Sequence, residues 1–204
     1  MLKKILRRLR YELIDAPRGR GRGWSADVWN SQFQNSAWDH LSSVDELGHY
    51  MIILGYVLHF APKSPSLLDV GCGNGRLLEL LTLANFGEYV GADISAQAVE
   101  KAKALNFAKT SFKVCSFEEW KPDQQYDLII FNESLYYASK PCEVLKSFEC
   151  GLKKDGRFIV SMHHYGNHRS IWRNIDRRYS VLAMDVTENS KAQCWTAKVL
   201  RPRT

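Results

Sequence analysis

No stretch of this 204-residue chain approaches the roughly 18 consecutive apolar residues that a membrane-spanning helix needs. Its longest apolar run, Tyr50 to Ala61, is interrupted by Gly55 and His59 and reads as a buried helix. Paired-cysteine spacing is also missing. Cys72, Cys115, Cys142, Cys150 and Cys194 lie far apart with no Cys-x-x-Cys, an odd set that suits a reducing compartment better than a disulfide framework. The first 23 residues have neither the apolar core nor the small-residue cleavage site of a secretory leader. A cytoplasmic location is therefore expected. His163, His164 and His168 lack an acidic partner at ligand spacing, so no metal centre is expected. There are no internal repeats, and the length suits one α/β domain, not two.

Charge is plentiful but unevenly placed. The formal net charge is +6. Residues 1–23 carry Lys3, Lys4, Arg7, Arg8, Arg10, Arg18, Arg20 and Arg22 against only Glu12 and Asp15, so the whole excess sits there. Within residues 1–14, Leu2, Ile5, Leu6, Leu9 and Leu13 fall on one helical face with basic residues opposite. Such a helix can lie on an anionic membrane surface, dock to a partner, or pack on its own domain. Residues 17–23, Pro-Arg-Gly-Arg-Gly-Arg-Gly, read as a linker, because alternate glycines disfavour both helix and strand. A Gly-Arg segment this short is a poor candidate for nucleic-acid binding, and nucleic acid is not the expected partner.

The remainder reads as one domain, residues 24–204. An aromatic helical segment, 24–65, carries Trp24, Trp29, Phe33 and Trp38, then an apolar helix from about Val44 to Phe60 closed by Pro62 and Pro65. It is expected to form a lid, with Trp38, His40 and Tyr50 in the pocket. From residue 66 short apolar runs alternate with amphipathic stretches. Strands are predicted at Ser66–Val70, Tyr89–Ala92, Ser111–Val114, Tyr126–Phe131 and Arg157–Met162, with helices at Arg76–Ala84, Ala96–Phe107 and Pro141–Leu152. Alternation of this kind specifies parallel strands joined by right-handed helical crossovers. Two further strands, near Tyr179–Val186 and Gln193–Leu200, read as a terminal antiparallel hairpin. The expected fold is α/β, a doubly wound, mostly parallel seven-stranded sheet.

The most informative run is Asp69-Val70-Gly71-Cys72-Gly73-Asn74-Gly75, where an apolar strand enters a loop with three alternate glycines and then a helix. Glycines let the backbone turn sharply and approach a ligand, and the helix start aims free N–H groups at the same place. Asp93 follows 22 residues after Gly71, at the end of the second strand, where a carboxylate can accept from a ribose diol. Dinucleotides and S-adenosylmethionine share this logic. The third glycine comes one residue too early for Gly-x-Gly-x-x-Gly, and Asp69 would repel a pyrophosphate but accept from an ammonium group.

This run resembles motif I of class I S-adenosylmethionine-dependent methyltransferases, and the resemblance extends over about residues 66–200. It implies S-adenosyl-L-methionine as cofactor, with S-adenosyl-L-homocysteine as product. It implies cofactor contacts from Asp69, Gly71, Cys72, Gly73, Asn74, Gly75, Asp93 and Ile94, and from Asn132 at the end of the fourth strand. Leu152 to Phe158 matches the turn into the fifth strand, with Asp155-Gly156 where Gly-Gly is more usual. After the third strand the family often has an adenine-binding Asp. Here Ser116 stands at that position, which shifts the contact to Ser116 and Phe117.

Methyl transfer needs an aligned acceptor and, for a hydroxyl or ammonium, removal of a proton. Doubly wound sheets bind ligands at the C-terminal ends of their strands. Glu133 after strand four and His163 or His164 after strand five are the candidate bases. Only one histidine of the pair should face the site, because side chains alternate along a strand. Tyr136 and Tyr137 are expected in the pocket, near the sulfonium. The run Asn132 to Tyr137 is not the Asn/Asp-Pro-Pro-aromatic sequence of base-amine methyltransferases. Its Glu133-x-Leu135-Tyr136-Tyr137 portion resembles nodulation-type N-methyltransferases and small methyltransferases of polysaccharide biosynthesis. That resemblance implies a sugar hydroxyl or amine, on a glycan or glycolipid, as acceptor. The alternatives are a small-molecule or natural-product acceptor and, further off, RNA.

Overall fold

The computed structural model describes residues 9–19, 21 and 23–203. Most of the predicted N-terminal helical face, including Leu2, Ile5 and Leu6, lies outside the described residues. Tyr11–Asp15 forms a single π-helical turn; Leu13 and Ile14 on it, and Leu9 just before it, are exposed. Two helices follow, α1 (Ala26–Gln34) and α2 (Val44–Phe60). Then come β1 (Ser66–Val70), α3 (Arg76–Leu81), β2 (Glu88–Asp93), α4 (Ala96–Ala104), β3 (Thr110–Val114), β4 (Tyr126–Asn132), α5 (Pro141–Ser147), β5 (Leu152–His163), α6 (His168–Arg178), β6 (Tyr179–Glu188) and β7 (Cys194–Pro202).

The strands form one sheet in the order β3-β2-β1-β4-β5-β7-β6. The first five are parallel; β7 runs antiparallel to β5 and to β6. Because β1, β2, β4 and β5 are parallel, Val70, Asp93, Asn132 and His163 all emerge at one edge. Alternate residues serve opposite faces. Leu68, Ile129, Phe131, Phe158 and Val160 pack with Leu145, Phe148, Ile171 and Ile175 on one side. Leu67, Leu128, Ile130 and Ile159 pack with Ile53, Val57, Leu78 and Leu81 on the other. Both faces are covered, as the apolar strands require.

The differences from expectation are local. The helices predicted at Arg76–Ala84 and Pro141–Leu152 each break into a shorter α-helix and a 3-10 turn, Thr82–Ala84 and Glu149–Gly151. The helix after β2 stops at Ala104, not Phe107, where Asn106 adopts a left-handed conformation. Strand β5 begins at Leu152 instead of Arg157, because Lys153–Gly156 bulge out of register between the Tyr126 and Leu128 pairings. No element was expected at α6. Its Arg-rich sequence masks a buried stripe, His168, Ile171, Trp172 and Ile175, at helical spacing.

Candidate active site

The glycine loop wraps over the end of β1. Gly71, Gly73 and Gly75 have φ of +80°, +54° and +85°, which only glycine adopts readily. A Cβ on Gly71 would stand 2.4 Å from that of Ser134. Ser134 is buried, and its hydroxyl donates to the Val70 carbonyl at 2.5 Å, tying the loop after β4 to the end of β1. Asp93 braces the same loop from β2. Its carboxylate accepts from the Gly73 N–H at 2.9 Å and from the Ser95 N–H at 2.8 Å. Burial raises its pKa, while those N–H groups pull it down.

Gly71, Gly73, Asp93 and Ser134 border a cavity of about 720 Å³. Asp69 and Asn132 both border it, and each keeps one buried side-chain oxygen without a hydrogen-bond partner. The other Asp69 oxygen accepts from Tyr89 at 2.8 Å, and burial pushes the Asp69 carboxyl up to about 7. Orphaned buried acceptors call for donors from a ligand. A glycine-rich loop, two unpartnered oxygens and the braced Asp93 fit the amino-acid and ribose portions of S-adenosylmethionine. Ile94, Ser116 and Phe117 border the cavity as well. Of the expected cofactor residues, Gly75 alone does not border it; this glycine starts α3 and packs against Leu105 and Ala102.

Glu133 lies next along the rim, with φ at +54°, a conformation rare outside glycine. Its carboxylate accepts from Ser161 Oγ at 3.1 Å, Tyr136 Oη at 3.0 Å and the His163 N–H at 3.0 Å. Burial pushes its pKa up to about 7 despite those donors. His163 borders the cavity, and burial lowers the pKa of its ring. His164 does not border it. Its ring bonds Thr196 Oγ1 at 2.7 Å and stacks on His168 at 4.7 Å, facing away from the cavity. The pair divides as strand alternation requires.

The helical segment before the sheet forms the opposite wall. Asn30 on α1 accepts from Ser95 Oγ at 2.8 Å, and Lys101 donates to the Phe33 carbonyl at 2.7 Å, so α1 is fastened to α4. Trp29 stacks on Trp38 at 5.7 Å and meets Tyr137 edge-on at 4.8 Å. Trp24 lies 5.1 Å from Trp29. Tyr50 is buried on the cavity wall, while His40 sits exposed at its rim. Residues of the N-terminal segment reach the cavity too: Tyr11, Glu12, Ala16 and Gly23. The Gly23 N–H donates to the Tyr137 carbonyl at 3.0 Å, and Asn174 donates to that of Arg18 at 3.0 Å. The described part of the expected arm and linker therefore lies against the domain.

Glu46, Tyr165 and Trp195 are among the wall residues that belong to no motif. Glu46 reads in sequence as an ordinary first-turn acid of α2, and Trp195 as a core residue of the hairpin. Only their meeting at one cavity distinguishes them.

The sequence model of a methyltransferase-domain family matches residues 63–200. Among solved structures, the N-methyltransferase NodS from Bradyrhizobium japonicum WM9, in complex with S-adenosyl-L-homocysteine, superposes with a TM-score of 0.73 at 15% identity, covering 86% of this chain and 99% of that one. At that identity the likeness establishes the fold. The human mitochondrial arginine-hydroxylase NDUFAF5 is 30% identical over 100 residues, 48% of this chain and 28% of that protein. The ubiquinone biosynthesis O-methyltransferase of Pelagibacter ubique is 31% identical over 102 residues, 48% of this chain and 42% of that enzyme. The chain thus spans less than half the length of these two relatives. With a family match over residues 63–200, beside a glycine loop, Asp69 and Asp93 gathered at one cavity, the chain belongs to the methyltransferase-domain family.

Proposed function

We propose that the chain methylates a hydroxyl or amine of a sugar, on a glycan or glycolipid. The observation that carries this reading is the pairing of an aromatic wall, Trp24, Trp29, Trp38 and Tyr137, with the Glu133 carboxylate and the His163 ring around one cavity. Aromatic faces pack against the C–H faces of a pyranose, while carboxylate and imidazole take its polar groups. Asp69 receives the cofactor's ammonium, the Gly71–Gly73 backbone its carboxylate side, Asp93 the ribose diol, and Ile94, Ser116 and Phe117 the adenine. Glu133 or His163 removes the acceptor's proton. Lowering of the His163 pKa keeps its ring neutral and able to accept near pH 7.

In this reading the protein works in the cytoplasm, with residues 1–14 touching the inner membrane face. Polybasic segments are attracted to anionic lipid at about 1 kcal/mol per residue near the surface. No described helix is long and apolar enough to cross a membrane.

A second reading, a small-molecule acceptor, is favoured by the relative named as a ubiquinone biosynthesis O-methyltransferase. The test is transfer of a labelled methyl group to a panel of amino-sugar and neutral oligosaccharides beside phenols and small amines. Label on a sugar, reduced at least tenfold in Glu133→Gln or His163→Ala but not in His164→Ala, is the expected result. Label confined to the non-sugar compounds would replace the glycan reading with the second.

A further inference from the structure

Glu46 lies on the first turn of α2, far in sequence from every motif, and borders the cavity. It is 7% exposed. Among the described residues no hydrogen bond reaches its carboxylate. The nearest cationic type is His49, whose Nδ1 lies 3.7 Å away. That ring is buried, has no hydrogen-bond partner on either nitrogen, and stacks on Trp195 at 5.0 Å and on Tyr50 at 4.2 Å. Burial lowers its pKa to about 3, so it is neutral near pH 7 and offers no countercharge. Lys191 is paired with Asp45 at 2.6 Å; it and His40 act on Glu46 only through space, and burial outweighs them, so the Glu46 pKa is raised. A buried carboxylate is normally paired or hydrogen-bonded, because leaving it bare costs several kcal/mol. Glu133, another acid on the cavity wall, is already held by three donors. Glu46 has none.

We propose that Glu46 is the acceptor-recognition residue, and that the group it receives is a protonated amine, so the methyl acceptor is nitrogen. The inference rests on the methyl-transfer reading above and narrows its acceptor class. An ammonium supplies both the charge and the N–H donors that Glu46 lacks, and the rings of Tyr50, Tyr165 and Trp195 on the same wall favour a cation. A hydroxyl would bring one donor and no charge. The amine arrives as R–NH3+ and passes one proton to the Glu133 carboxylate. The nitrogen lone pair then bonds the methyl carbon as the carbon–sulfur bond breaks, leaving R–NH2+–CH3 and a neutral thioether.

The test is binding, read apart from turnover. The protein is saturated with S-adenosylhomocysteine and titrated with two matched pairs, glucosamine against glucose and 2-phenylethylamine against 2-phenylethanol, with NMR shifts as readout. Each amine should bind at least about tenfold more tightly than its alcohol, and Glu46→Gln should remove the preference while keeping its S-adenosylhomocysteine affinity. Glu46→Asp, which draws the carboxylate back by one methylene, should keep part of it. These two variants guard against a merely misfolded protein. Preference in the phenylethyl pair alone would sustain Glu46 as an amine site and count against a sugar acceptor. Alcohols binding as well as amines, a preference that survives in Glu46→Gln, or no binding of either amine would overturn the inference.

Discussion

Asp93 holds the Gly73 N–H at 2.9 Å, so the acid expected to bind ribose also fixes the loop expected to bind the amino-acid end of the cofactor. Removing it should damage both. Asp93→Ala is expected to weaken S-adenosylmethionine and S-adenosylhomocysteine binding by about 10- to 100-fold, the range for hydrogen bonds to a charged group. Calorimetric titration of wild type and variant measures this. Unchanged affinity would mean that the cofactor does not use Asp93.

Glu133 should make stability fall as pH rises. Its folded-state pKa, about 7, lies above the ordinary 4.5, so between those values the folded chain keeps a proton that the unfolded chain has released. Its contribution is whole below about pH 4.5 and is lost through about pH 7. Glu133→Gln has nothing to titrate there. The stability of wild type relative to that variant should therefore drop by roughly 1–3 kcal/mol between pH 4.5 and pH 8. Turnover has the opposite sign, since a base must be ionised, and should rise through about pH 7. Parallel melting curves across that range would remove the raised pKa.

His49 gives the reverse slope. Its pKa is lowered from 6.5 to about 3 by burial, then by the charge of His163. The unfolded chain takes up a proton below pH 6.5 that the folded chain refuses until about pH 3, so acid destabilises the protein. His49→Phe keeps an aromatic ring against Trp195 and has no proton to gain. Between pH 6.5 and pH 4 the wild type should lose roughly 3 kcal/mol more than the variant. Equal acid sensitivity in urea titrations at the two pH values would show that His49 protonates freely in the fold.

Much of this was legible because it depends on short-range pattern. Asp69 to Gly75 sits between an apolar strand and a helix, and Asp93 ends the next strand, so spacing alone placed both at one edge of the sheet. The β6–β7 hairpin was visible from its two apolar runs and polar turn. Strand alternation separated His163 from His164, but the choice between them needed the register of β5, which a bulge at Lys153–Gly156 shifts. Glu46 and Trp195 were illegible for another reason: they lie 149 residues apart and become site residues only when α2 packs beside β7. Helix α6 was hidden by its arginines, although its buried stripe has ordinary helical spacing.

The glycines of the loop should differ in what they tolerate. At Gly71 a methyl group would stand 2.4 Å from Ser134 Cβ, at φ +80°. At Gly73 the nearest atom is Phe33 Cζ at 3.5 Å, an ordinary contact, so only the backbone preference at φ +54° is offended. Gly73→Ala should cost about 1 kcal/mol, and Gly71→Ala about 1–3 kcal/mol more, because Ser134 is anchored to Val70 and cannot yield. Thermal unfolding of both without cofactor measures the difference. Equal losses would mean that the β4 loop moves to make room.

The N-terminal segment offers a last division. If residues 1–8 serve only surface attraction, deleting them should lower association with anionic vesicles at least tenfold at physiological salt and leave cofactor binding unchanged. Deleting residues 1–23 should do more, because Tyr11, Glu12, Ala16 and Gly23 form part of the cavity wall and Gly23 is bonded to Tyr137. That protein should fold, since its described core clusters begin at Tyr50, but bind S-adenosylhomocysteine more weakly. Equal vesicle association for the full chain and the shorter deletion would remove the membrane role. Equal cofactor affinity for both deletions would mean that the strap covers a different part of the cavity, the acceptor end, and the amine probes would then show the loss.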